Sequence, residues 1–262
     1  MKVYALILSF FILIMFSVFN AYADLKDGLV IYFSFDKVDG AKVINEANVN
    51  IEGILEGKAK QAPGFKGMGV ALNADVDEAT PGNDFVSVGN PPEVNVDKQF
   101  TIACWVSGTN FGDYRTIMSK TDNGAYASTV EKKLPSGWVH SAGNYLQVSG
   151  TTELQTNKWY HVALTFDGSD EVVYLDGKEE GRKTGKGNIT ICNADFMIGA
   201  EPSGQAVDPS YPAWHGILDE FYFYNRALTK DEIGQLIKQA TSVEPNGKLS
   251  ITWGTLKSIG AN

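Results

Sequence analysis

From Leu29 onward the chain alternates short apolar-rich runs with Gly, Asn and Asp punctuation. The runs read GLVIYFSFD, GVALN, DFVSV, FTIACWV, RTIMSK, NYLQVSG, KWYHVALTFDG, EVVYLDG, FMIGA and ILDEFYFY. Runs this short, rich in β-branched and aromatic residues and closed by turn formers, predict strands. Asp167-Gly168 and Asp176-Gly177 separate Trp159–Phe166, Val172–Leu175 and Lys178–Lys183. Gly accepts positive φ without steric cost, so these pairs predict tight hairpins and a three-strand meander. The helical period occurs once after the first segment of the chain. Thr229 and Glu232 have the spacing of a capping box, and Ile233, Leu236, Ile237 and Ala240 follow at helical intervals. The pattern as a whole predicts an all-β fold: a two-sheet antiparallel sandwich with one short C-terminal helix over Thr229–Ala240.

The two ends differ from this body. Residues 1–23 carry one charge, Lys2, then a nearly unbroken apolar run from Val3 to Phe19 and the small-x-small sequence Ala21-Tyr22-Ala23. This is the pattern of a secretory signal peptide, and the run is at the short limit for a membrane anchor. Cleavage before Asp24 is therefore expected, with a domain over 24–241 and a tail over 242–262, and with no membrane span left in the mature chain. The location that follows is secreted, periplasmic or cell-surface. Losing Lys2 takes the net charge from −9 to −10. Such a surface repels phosphate backbones and excludes nucleic acid as a partner. Cys104 and Cys192 are the only cysteines; they are compatible with one disulfide or with two buried thiols.

The ending from Trp214 to Ile237, together with the ordered elements from Gly28 onward, resembles the LamG-like jelly-roll family of concanavalin A-like lectin/glucanase domains. The resemblance runs from about Gly28 to Ile237. It departs at INEANVNIEG after the first strand and at LNADVDEATPGN before DFVSV. It implies a jelly roll and, in many members, one structural Ca²⁺ between the first and last strands. Asp36 and Asp219 occupy the matching positions. Calcium takes six to eight oxygen ligands, so two carboxylates with loop carbonyls would suit it; the alternative is an Asp219 held by backbone donors. The family commonly has a structural histidine at the position of His161.

Catalytic motifs are absent from the sequence. The related glycosidases place carboxylates at alternate strand positions as Glu-x-Asp-x-(x)-Glu, about 5 Å apart, and no run here matches. Asp219 and Glu220 are adjacent, so a regular strand points them to opposite faces. No His-Glu-x-x-His, Gly-x-Ser-x-Gly or Gly-x-x-x-x-Gly-Lys occurs. The expectation is a non-catalytic binding module, with extracellular glycan first, a protein or adhesion partner second, and a divergent hydrolase or lyase third. Sugar recognition uses flat aromatic faces with polar groups nearby. Two irregular stretches supply them: Phe111–Arg115, with Tyr114 and Arg115, and Glu201–His215, with Tyr211 and Trp214. For the last two, binding and core packing are both open.

Overall fold

The computed structural model describes residues 24–73 and 83–242. The expected signal peptide over 1–23 and the expected tail beyond Ser242 lie outside the described residues. In chain order the strands are β1 (Leu29–Phe33), β2 (Val38–Asp39), β3 (Lys42–Ile44), β4 (Glu52–Glu56), β5 (Lys60–Pro63), β6 (Met68–Leu72), β7 (Phe85–Gly89), β8 (Phe100–Gly108), β9 (Tyr114–Lys120) and β10 (Tyr126–Glu131). They continue as β11 (Leu134–Ser141), β12 (Asn144–Ser149), β13 (Tyr160–Phe166), β14 (Asp170–Leu175), β15 (Lys178–Thr184), β16 (Phe196–Ile198), β17 (Pro202–Ser203), β18 (Ala206–Val207) and β19 (Gly216–Tyr224), with helix α1 (Lys230–Thr241) last.

Two large sheets form. One runs β15-β14-β13-β8-β19-β6-β5, with β1 also on β19; the other runs β12-β11-β10-β9-β16-β7-β4-β3-β2, and β17-β18 is a separate hairpin. The ladders of both large sheets are antiparallel. The expected sandwich is therefore present. Its inner faces meet in one core that includes Phe33, Phe100, Ile102, Val130, Val139, Leu164, Phe196, Phe221 and Phe223. Alternation along each strand sends every second residue there, the period-two consequence of the pleat.

Helix α1 covers the outer face of the eight-stranded sheet. Ile233 and Leu236 pack on Ala163, Val172, Tyr174, Tyr222 and Tyr224. Its start is the predicted capping box: Glu232 N–H donates to Thr229 Oγ1 at 3.3 Å and Thr229 N–H to Glu232 Oε2 at 2.7 Å. Among the described residues no helix is long and apolar enough to cross a membrane.

Three details depart from the sequence pattern or resolve it. Cys104 and Cys192 are both buried and free. Strand β19 carries a bulge between Asp219 and Tyr222, with Glu220 at φ 49°. The extra residue puts Glu220 on the same outer side as Asp219, where its carboxylate accepts from Tyr32 Oη and Tyr222 Oη at 2.9 Å each. The third detail is the hairpin β10-β11, which the apolar pattern does not mark. Its turn, Lys132-Lys133, has φ of 49° and 68° without a Gly or Asn.

Candidate functional site

Strands β9 to β12 form one end of the nine-stranded sheet. Val130, Val139 and Val148 point into the core, so their neighbours Glu131, Trp138 and Gln147 face outward by the same alternation. Registers place Trp138 opposite Gln147 and His140 opposite Tyr145, and Glu131 opposite Tyr114. The outer face of four strands thus presents a polar and aromatic platform.

The segment after β16 closes it. Gly199–His215 is bound to the sheet by its backbone: Trp214 N–H donates to Gly199 O at 2.7 Å, and Thr116 N–H to Pro212 O at 3.2 Å. Asp208 N–H to Glu201 O, at 2.8 Å, folds the intervening stretch back on itself. Glu201 and Tyr211 are thereby held over the platform.

The result is a cavity of about 300 Å³ walled by Tyr114, Trp138, Tyr145 and Tyr211, with Glu131, Glu201, Gln147 and Thr121. The rings of Tyr114 and Tyr211 lie 5.8 Å apart at 56°. Trp138 meets Tyr145 edge-on at 5.2 Å, and His140 packs on Tyr145 at 4.6 Å. Tyr145 and Tyr211 are 56% and 45% exposed, so their rings are open to a ligand.

Both carboxylates are positioned. Glu131 accepts from Thr129 Oγ1 at 3.1 Å and Gln147 Nε2 at 2.8 Å. Glu201, only 4% exposed, accepts from Tyr114 Oη at 2.9 Å. Burial pushes the Glu201 carboxyl up to about 7 against the pull of the Tyr114 bond, and the charges of Asp208 and Glu131 push the same way.

Of the four residues expected from sequence, the structure joins two. Tyr114 and Tyr211 share this cavity. Arg115 is buried and turned away, its guanidinium donating to the carbonyls of Asn110 and Tyr114. Trp214 has 0% exposure and belongs to the core, edge-on to Phe111 at 6.1 Å. A ring with no accessible surface has no ligand face, so packing decides its role. Sequence reading missed Glu131 and Trp138 because β10 and β11 are not marked by the apolar pattern, and Tyr145, Gln147 and Glu201 because only the pairing of β12 with β11 and the fold-back after β16 bring them to the same face. The pairing of Trp138 and His140 one residue apart was the available signal.

Asp36 and Asp219 do converge, on the Gly64–Met68 turn. Asp219 Oδ2 accepts from Lys66 N–H at 2.9 Å and Oδ1 from Glu220 N–H at 2.8 Å. Asp36 Oδ1 accepts from Met68 N–H at 2.7 Å. A Cβ on Gly64 would collide with Asp219 Oδ2 and one on Gly67 with Asp36 Oδ1, so both glycines are required. These carboxylates face amide donors, whereas calcium needs a shell of oxygens. Among the described residues no three His, Cys, Asp or Glu side chains are grouped to share a metal.

His161 is buried against Trp105, 5.4 Å away edge-on. Burial pushes it down to about 3, so it stays neutral and suits a packing role. Two further cavities lie among the described residues. One of about 750 Å³ lies beside Tyr32 and Tyr222 and is bounded by Asp24 and Ser242, the first and last described residues. Another of about 460 Å³, at Thr109–Gly112 and Glu153–Thr156, has one ring in its wall, the buried Phe111. Of these three, the cavity over β9–β12 is the one that combines exposed rings with fixed carboxylates.

An antiparallel two-sheet jelly roll is the architecture of the concanavalin A-like class, which holds lectins and glucanases alike. The sequence profile described as "Concanavalin A-like lectin/glucanases superfamily" matches residues 80–234, more than half of the chain, and the chain belongs to that superfamily. No curated protein sequence matches it. Solved structures share the fold. The binding domain of Paraclostridial Mosquitocidal Protein 1 matches with TM-score 0.65 and 19% identity over 82% of this chain and 53% of that one. The binding domain of Botulinum neurotoxin DC in complex with SialylT matches with TM-score 0.61 and 16% identity over 82% and 52%. Domain 4 of AbnA, an extracellular arabinanase from Geobacillus stearothermophilus, in complex with arabinotriose, matches with TM-score 0.53 and 20% identity over 79% and 97%. The chain spans about half the length of the toxin binding domains it matches.

Proposed function

We propose that this chain is an exported, non-catalytic module that binds an extracellular glycan in the cavity over β9–β12. The observation that carries the reading is four aromatic rings around a space of about 300 Å³, with two carboxylates and an amide fixed beside them. Rings cover the apolar faces of sugars, and fixed acceptors and donors read the hydroxyls. Solved neighbours of the same fold hold SialylT and arabinotriose, which supports the class of ligand. The apolar segment before Asp24 supports export.

A second reading, hydrolysis, is favoured by one observation: Glu131 and Glu201 share the cavity, and burial raises the Glu201 carboxyl, as a general acid paired with a second carboxylate requires. The two readings separate cleanly. Titration calorimetry of residues 24–262 against a panel of oligosaccharides should show binding that Trp138→Ala and Tyr211→Ala each weaken at least about tenfold, with no release of reducing ends. Absence of binding to every sugar, or unchanged binding in both variants, overturns the proposal. Sustained release abolished by Glu201→Gln would establish the hydrolase instead, and capture of a protein ligand at an intact aromatic site would move the partner to protein.

A further inference from the structure

The charge of the cavity narrows the ligand further, given the glycan reading above. Its wall contains two carboxylates, Glu131 and Glu201, and no Lys or Arg. Asp208 adds a third negative charge close enough to act on Glu201. Three cations of β9 and the β10-β11 turn are engaged away from it. Lys120 is buried, its Nζ donating to Asn90 Oδ1 at 2.9 Å, Cys192 O at 3.0 Å and Ala194 O at 2.8 Å. Arg115 folds onto the carbonyls of Asn110 and Tyr114, and Lys133 lines the separate cavity at Thr109–Gly112.

Carboxylates alone would make only an acidic patch. Here they share the cavity wall with four aromatic rings, and an aromatic face attracts a cation placed over it. Glu201 is almost wholly buried and keeps one partner on its own, Tyr114 Oη. Neutral hydroxyls need acceptors but gain little from a field of one sign, whereas an ammonium gains from rings and carboxylates together.

We propose that the cavity selects sugars bearing a free amine, the ammonium sitting between Glu131 and Glu201 against the faces of Tyr114, Trp138, Tyr145 and Tyr211. Uronic and sialylated sugars meet the same field with the opposite sign and are rejected.

The test titrates residues 24–262 at pH 7, where Glu201 begins to ionise, with oligomers of D-glucosamine, with their fully N-acetylated counterparts of equal length and with oligomers of a uronic acid. The expected result is amine over N-acetyl by about tenfold, the scale of a partly desolvated cation–π and carboxylate contact, with the uronic oligomers weakest. In Glu131→Gln and in Glu201→Gln the amine preference should shrink to about twofold or less, with melting curves confirming that each variant folds. Glu131→Gln tests the idea even where the buried Glu201 position tolerates no change. Equal or weaker binding of the amine, with the N-acetylated oligomer bound, overturns the amine selection and leaves the glycan reading standing. A preference that survives in both variants also overturns it. Binding of none of the three overturns the amine selection, and the glycan reading falls with it only when the wider oligosaccharide panel is also left unbound.

Discussion

At the scale of single residues, exposure separates two aromatics that the sequence presents as equals. Tyr211 and Trp214 are three positions apart in one irregular segment, yet Tyr211 is 45% exposed and Trp214 is 0%. The difference is that Trp214 N–H is tied to Gly199 O, which holds its ring against Phe111 in the core. Removing a large buried ring loses transfer energy and leaves a cavity. Trp214→Ala is therefore expected to cost about 3–5 kcal/mol in urea unfolding, whereas Tyr211→Ala should stay within about 1 kcal/mol while weakening ligand binding. A stability loss in Tyr211→Ala equal to that in Trp214→Ala would contradict this division. Nothing in the sequence around the two positions separates them, because what decides is a tertiary contact with β16 and the β8-β9 connection.

At the scale of elements, the strands written with alternating apolar residues were legible: β8, β13, β14 and β19 carry enough Val, Ile and aromatic residues to name themselves. So was α1, through Thr229 and Glu232. The candidate site was legible only in Tyr114 and Tyr211. Strand β11 reads LPSGWVHS, where Pro135, Ser136 and Gly137 are turn formers placed inside a strand, and the turn before it puts two lysines at positive φ. Local preference was overridden there by pairing on both sides, with β10 and β12. Similarly, alternation along β19 mis-aimed Glu220, because a bulge is invisible to a period-two pattern. The Gly64–Met68 turn carries its own expectation. With Asp36 and Asp219 already accepting amide hydrogens, Gly67→Ala should destabilise by about 1–3 kcal/mol through both its φ of 65° and its collision with Asp36. Melting temperatures in calcium and in chelator should coincide. A calcium-dependent rise lost in Asp219→Asn would show that the turn rearranges to admit the ion.

At the scale of the whole molecule, buried carboxyls set how stability responds to pH. Burial is the first cause in each case: Asp219 is raised from 3.8 to about 7, Glu201 from 4.5 to about 7 and Glu171 from 4.5 to about 9. Glu171 shares the inward face of β14 with Val173 and Leu175, and neither of its oxygens has a hydrogen-bond partner. Between the unfolded and folded values the native state holds more protons, so stability falls as pH rises. Their contribution is complete below about pH 4 and lost by about pH 9. Asp170 and Glu179, lowered chiefly by hydrogen bonds, to Thr184 and Arg182 for the first and to Arg182 for the second, act in the opposite sense, only as pH falls through the acid range. Scanning calorimetry is expected to show the melting temperature dropping from pH 5 to pH 9. Glu171→Gln should flatten the part between pH 7 and pH 9, and a flat profile in the unmodified protein would refute the account. The two buried thiols bear on the history of the molecule rather than its equilibrium. Since Cys104 and Cys192 are unlinked parts of the core, no oxidation step stands between the unfolded chain and its native state. The domain should reach the same structure in a reducing cytoplasm and on the far side of a membrane, and refold in dithiothreitol without loss.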